Sequence, residues 1–167
     1  AALLKSLPGP FLALGDNAYP NGRLTDYQSC YDPYFGSEKA RTRPIPGNHE
    51  YDTGSAAGYL TYFGAQATPA GTTWYSFDVG SFHFVALDSD CTFVGGCDTT
   101  SAQYRWLAAD LAASTTPCLI AYFHHTPWSS FAGYGKPTAM VPIMQLLQRE
   151  GAAAVLVGVV VRVVLAV

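Results

Sequence analysis

The way the apolar runs of this chain end constrains its fold more than any other feature. Leu12-Ala13-Leu14 passes directly into Gly15-Asp16-Asn17-Ala18-Tyr19, and the run from Leu119 to Phe123 passes into His124-His125-Thr126-Pro127. Short unbroken apolar runs bounded by turn residues read as buried strands. In an open α/β sheet, the carboxyl end of a strand is where binding and catalytic groups collect. A third polar cluster, Pro46-Gly47-Asn48-His49-Glu50, holds more than a turn needs: Gly47-Asn48 suits a turn, but the adjoining His and Glu do not follow from one.

The other segments fill in the class. Trp74 to Val79 and Ser81 to Leu87 are aromatic and β-branched runs joined at Gly80, the pattern of a hairpin. Asp26 to Phe35 starts as a helix that Pro33 is expected to end. Arg43-Pro44-Ile45-Pro46-Gly47 reads as a stiff loop, since two prolines remove donors and Gly47 permits a turn. Ser101 is placed to cap a helix with Tyr104, Leu107, Ala108 and Leu111 on one face. A second helix begins near Thr138, turns Ile143, Leu146 and Leu147 inward and stops at Gly151, after which Ala153 to Val157 returns as a buried strand. With no internal repeat and no low-complexity linker, the expectation is one α/β domain over residues 1–167.

Composition narrows the function classes. Charged residues make up 13% and aromatics 14%, a balance that excludes an intrinsically disordered chain. A net charge of −3 with only nine scattered Lys and Arg offers no basic surface for a phosphate backbone, so nucleic acid is not an expected partner. No apolar run reaches the roughly 18 residues that span a bilayer. The chain lacks an initiator Met and an ordered signal-peptide pattern at its start, and reads as processed, trimmed or a fragment. Cys91 and Cys97 bracket a Gly-bearing loop that suits a local disulfide better than zinc, since the spacing is not CxxC. Cys30 and Cys118 are the remaining pair, with connectivity open, and an oxidising, secreted setting follows.

Asp, Asn and His at three strand ends are oxygen and imidazole donors, which suit iron, manganese or zinc rather than a thiolate site. A carboxylate bridging two ions is how a two-metal hydrolase is built. GDNAY, GNHE and HHTP, in this order, resemble the calcineurin-like metallophosphoesterases, and among them the purple acid phosphatase type, whose GDxxY stands here as Gly15 to Tyr19. The resemblance runs from about Phe11 to Gly158. It implies an αββα sandwich of two mixed sheets. It also implies hydrolysis of small phosphate monoesters by a hydroxide held on two metal ions, iron with zinc, manganese or a second iron. On that pattern Asp16 bridges the metals, Tyr19 is a phenolate ligand to ferric iron, and Asn48 holds the second ion. His124 is the imidazole ligand, with His125 the other reading of the H-x-P pattern. His49 orients the phosphate or protonates the leaving group. Arg41 and Arg43 precede the GNHE loop and either meet a substrate phosphate, Arg43 above all, or form a solvated pair. His83, at an alternating strand position, reads as a structural histidine, and Asp88 and Asp90 as a turn, with contact of Asp88 to the site the other reading.

The pattern is incomplete at both ends. The family's first Asp-bearing strand has no counterpart in the 14 residues before Gly15, and Val159 and Val161 stand where a terminal GHxH carries its histidines. Because every polar position turns apolar at once after Gly158, a truncated or mistranslated end is favoured over a degenerate member. The two other functional readings are a phosphodiesterase or nucleotidase of the same superfamily, and a secreted binding domain that has lost turnover with its ligands.

Overall fold

The computed structural model describes residues 6–128, 138–158 and 164–165. Strand β1 (Phe11–Leu14) pairs in parallel with β2 (Thr42–Ile45), Leu14 opposite Ile45. This corrects the stiff loop expected at Arg43 to Gly47. Pro44 has no N–H to give, but β2 has only β1 as a neighbour among the described residues, so an unpaired edge accepts it. Its carbonyl is used instead, accepting from the Tyr59 and Tyr75 hydroxyls.

Between these strands the chain stays helical through Leu24–Asp26, Tyr27–Tyr31, Asp32–Phe35 and Gly36–Arg41. Pro33, expected to end this run, does not. It sits in the first turn of the Asp32–Phe35 piece, where a proline needs no donor. A single turn, α1 (Asn48–Tyr51), follows β2, and α2 (Ala57–Phe63) closes this half. Tyr27, Tyr31, Tyr59, Tyr62 and Phe63 form one core cluster here, with Phe11 of β1 against it.

The second sheet runs in the order β3 (Tyr75–Val79), β4 (Phe82–Ala86), β5 (Cys118–Phe123), β6 (Ala154–Val157), β7 (Val164–Leu165). The hairpin β3–β4 and the pair β6–β7 are antiparallel, and the two inner pairings are parallel, so the sheet is mixed. Helices α3 (Ala102–Ala113) and α4 (Val141–Arg149) give it Leu107, Ile143, Leu146 and Leu147, all buried. Ser101 caps α3, its hydroxyl accepting the Tyr104 N–H. Ile45, Leu12 and Leu14 of the small sheet join this same core. Two sheets therefore pack face to face, with a tyrosine-rich helical layer on one outer side and α3 and α4 on the other.

Cys91 and Cys97 are joined by a disulfide. Cys30 and Cys118 are free, which corrects the second pair. Cys30 stands exposed on the helical run over β1–β2, while Cys118 opens β5 in the other sheet, so the layers of the fold separate them.

Candidate metal centre

The carboxyl ends of β1, β2, β5 and β6 meet at one place. Gly15, Asp16, Tyr19, Asn48, His49, His124 and Gly158 line a cavity of about 240 Å³ there. Three clusters far apart in sequence are thus one site, because parallel strands deliver their carboxyl ends to the same edge.

Asp16 is held by its backbone as much as by its side chain. Its φ is +49°, in the left-handed region, where Asp is one of the few tolerated residues. Oδ1 accepts the His49 N–H at 3.1 Å, and Oδ2 accepts the Tyr19 hydroxyl at 3.0 Å. Burial pushes the carboxyl up, but hydrogen bonding and charge from His124, with the His49 N–H and Tyr19, bring it below the usual aspartate range. The group is an anion facing the cavity.

His124 is buried, and its Nδ1 lies 2.9 Å from the Leu14 carbonyl. A carbonyl only accepts, so Nδ1 carries a proton. Burial lowers the imidazole, but Asp16 and the Leu14 carbonyl raise it above the usual histidine value. Nε2 therefore holds a second proton toward Asp16 or, with that proton displaced, a lone pair. That Nε2 lies 3.3 Å from Asp16 Oδ2, yet it is a buried atom without a hydrogen-bond partner among the described residues. The two atoms converge on one point, which a proton or a metal cation in its place can occupy. A backbone carbonyl fixing the tautomer of a ligating imidazole is the usual support for such a ligand. Gly47 keeps the pocket open, since a Cβ there would lie 2.5 Å from Asp16 Oδ1 and 2.9 Å from the His124 ring. Gly158 does the same from β6, where a Cβ would run into the Leu14 carbonyl.

Asn48 begins α1 and lines the cavity. Its Oδ1 lies 3.0 Å from Nε2 of His125. His125 is not a wall of the cavity: its backbone N–H donates to Ser89 Oγ, and its Nδ1 lies 3.8 Å from Asp90. Burial and the adjacent His124 hold the His125 imidazole down at about 4, so it is neutral. His49 packs against Tyr19 with ring centres 4.5 Å apart and the planes tilted by 54°. Its Nδ1 meets the Pro20 carbonyl, which leaves Nε2 toward the cavity, 3.9 Å from Asp16 Oδ2.

Arg43 is the predicted site residue that the fold keeps away. It lies on β2 with its guanidinium over the Phe77 ring, 5.3 Å from the centroid. Arg41 is likewise no solvated partner for it, being bound to Glu38 and the Gly9 carbonyl. Val159 and Val161 fall outside the described residues. Among the described residues no group of three or more His, Cys, Asp and Glu could hold a metal ion, so the site leans on an amide and a phenol beside Asp16 and His124.

Two segments that support the site were not given that role from the sequence. Glu50 is fully buried, and its carboxylate accepts the N–H groups of Asp16, Asn17, Ala18 and Gly47 and the Tyr27 hydroxyl. One side chain thereby ties the GDNAY loop to the GNHE loop. The only signal for it was a Glu beside His49 that the turn did not require. The second support is Asp88-Ser89-Asp90. It does form the expected turn, the Asp90 N–H donating to Asp88 Oδ1, but Ser89 also anchors His125.

A sequence profile of the calcineurin-like phosphoesterases matches residues 1–158. Purple acid phosphatase 15 of Arabidopsis thaliana is 30% identical over 87% of this chain and 33% of its own length. Purple acid phosphatase 21 of the same plant is 31% identical over 89% of this chain and 36% of its own length. Acid phosphatase type 7 of Danio rerio is 33% identical over 64% of this chain and 25% of its own length. The chain thus spans about a third or less of the relatives it matches. A purple acid phosphatase from yellow lupin (Lupinus luteus) seeds superposes with a TM-score of 0.65 at 23% identity, over 92% of this chain and 30% of that one, which shows the common fold. On the family match and the relatives together, the chain belongs to the calcineurin-like phosphoesterase family.

Proposed function

We propose that this chain carries the metal-assisted hydrolysis of small phosphate monoesters. The supporting observation is the buried Nε2 of His124, without a hydrogen-bond partner among the described residues, converging with Asp16 Oδ2 at the cavity wall. The donor set fits a hard or borderline cation. Asp16, His124 and Asn48 would hold one ion, and Tyr19 would serve a second, ferric ion across the same carboxylate, iron being paired with zinc, manganese or iron. Bound there, metal supplies Lewis acidity toward phosphoryl oxygen and activates water at neutral pH.

The chain's own residues do the rest. Asp16 is kept anionic by its neighbours. His49 Nδ1 keeps its proton to donate to the Pro20 carbonyl, so a second proton, when the ring holds one, sits on Nε2 and points into the cavity. A departing alkoxide needs such a donor. Family resemblance alone carries the substrate class, and the disulfide at Cys91–Cys97 supports a secreted setting. Among the described residues no helix is long and apolar enough to cross a membrane.

The test is release of p-nitrophenol from p-nitrophenyl phosphate by protein loaded with iron and zinc or manganese. Activity that is lost with chelator and in Asp16→Asn is expected. Asn tolerates the same left-handed backbone, so that variant removes charge without forcing a refold. A folded, metal-loaded chain that releases nothing from the monoester or from bis-p-nitrophenyl phosphate would leave a binding domain, and turnover of the diester alone would make it a phosphodiesterase.

A further inference from the structure

A second set of ionisable groups lies at the other end of the large sheet, beyond the reach of the cavity. His83 is the second residue of β4 and is 7% exposed. Its Nδ1 lies 2.7 Å from Asp78 Oδ1 on β3, and its Nε2 lies 2.8 Å from Asp110 Oδ2 on α3. Ser76 also donates to Asp110, at Oδ1 and 2.7 Å. An ionised carboxylate only accepts, and a neutral imidazole has a single N–H. A neutral ring would therefore set a nitrogen lone pair against a carboxylate oxygen at one of these two contacts.

We infer that His83 is an imidazolium clamp, fastening the β3–β4 hairpin to α3 through both ring nitrogens in its charged form alone, so that this side of the fold is tight in acid and loosens in alkali. The contrast with His124 is geometric. There one nitrogen faces a backbone carbonyl and the other makes no hydrogen bond, whereas both nitrogens of His83 point at carboxylates in hydrogen-bonding geometry.

The surroundings favour the charged ring from every side. Asp78 faces it from β3 and Asp110 from α3. Glu150, after α4, lines the small cavity beside the ring together with Ser114 and Thr116, which carry no charge. The register partner of His83 on β5 is Leu119. No cationic side chain lines that cavity among the described residues. Burial alone would lower the imidazole, but hydrogen bonds and charge from Asp78 and Asp110 outweigh it and raise the group above the usual histidine value. A histidine raised in the folded state contributes its full stability below about pH 6.5 and loses it as pH rises through the raised value. Asp78 is exposed, so salt weakens its half of the clamp.

Two measurements decide. In the intact chain, long-range proton–nitrogen NMR should show both His83 ring nitrogens protonated at pH 7, with deprotonation only above it. The signal is assigned by its shift in Asp78→Asn, a change at an exposed side chain. The melting temperature should also fall by a few degrees between pH 6 and pH 9 in the parent chain, and by much less in His83→Gln. The other histidines titrate in both proteins and cancel from that difference. A ring with one bare nitrogen at pH 7 overturns the inference, as does an unchanged pH dependence in His83→Gln. If that variant does not fold, the NMR result on the parent chain stands as the test.

Discussion

Glu50 is the residue on which the geometry of the centre turns. It brings no group to the cavity, yet four backbone N–H groups from two loops and the Tyr27 hydroxyl converge on its two oxygens. In Glu50→Gln, one side of the carboxamide presents N–H₂ to donors that need an acceptor. The expected cost is about 1–3 kcal/mol of stability, read from urea unfolding, because a buried donor without its acceptor keeps its full desolvation penalty. Metal affinity should fall with it, since Asp16 and Gly47 lose their common anchor. The two adjacent histidines separate at this scale as well. His124→Ala should weaken binding of Zn²⁺ or Mn²⁺, followed by calorimetry, by more than the roughly 10–100-fold that supporting partners usually cost. A larger loss in His125→Ala than in His124→Ala would transfer the ligand role to His125.

At the scale of elements, the loops after the strands are cut to the dimensions of the side chains they hold. Gly47 has an ordinary extended backbone, with φ of −120°, so it is not there for conformational freedom. It is there because a methyl group would press on Asp16 and the His124 ring. Gly47→Ala should therefore lower metal affinity, measured by the same titration, by more than it lowers the melting temperature. The cap of α3 is a separable device: Ser101→Ala should cost about 1 kcal/mol in thermal or urea unfolding, with the metal centre unchanged. The helices and the hairpin were legible because their periodicities are local. Ser101, Gly80 and Gly151 stand at the cap, the hairpin turn and the helix stop where the chain's own pattern put them. Strand β2 was hidden, because two prolines argue against a strand until the unpaired edge is known.

For the molecule as a whole, the face-to-face sheets set the distances that matter. Ile45 is fully buried at the end of β2, where the small sheet meets the core of the large one. Ile45→Ala should cost about 2–5 kcal/mol, measured by urea unfolding, because the layers on either side restrict collapse around the lost volume. The Cys91–Cys97 loop is fastened to the site by packing as well as by sulfur. Phe93 stacks on Tyr51 at 4.4 Å, and Tyr51 donates to Asp88 at 2.6 Å. The exclusion of a Cys30–Cys118 bond is a decision of the same layering.

What the sequence determined by itself is what depends on neighbours along the chain: the apolar runs, the caps and turns, the acceptor-rich motifs at strand ends and the family to which they belong. Asp16, Tyr19, Asn48, His49 and His124 could be named from it because each follows or adjoins a strand, and parallel strands carry their ends to one edge. The tertiary structure decided which atoms meet. Glu50 became an anchor, Arg43 was drawn over Phe77, His83 was set between two aspartates, and Nε2 of His124 was turned toward Asp16. Each of these contacts joins different strands, helices or loops, and no local pattern specifies a partner that only packing brings within hydrogen-bond range.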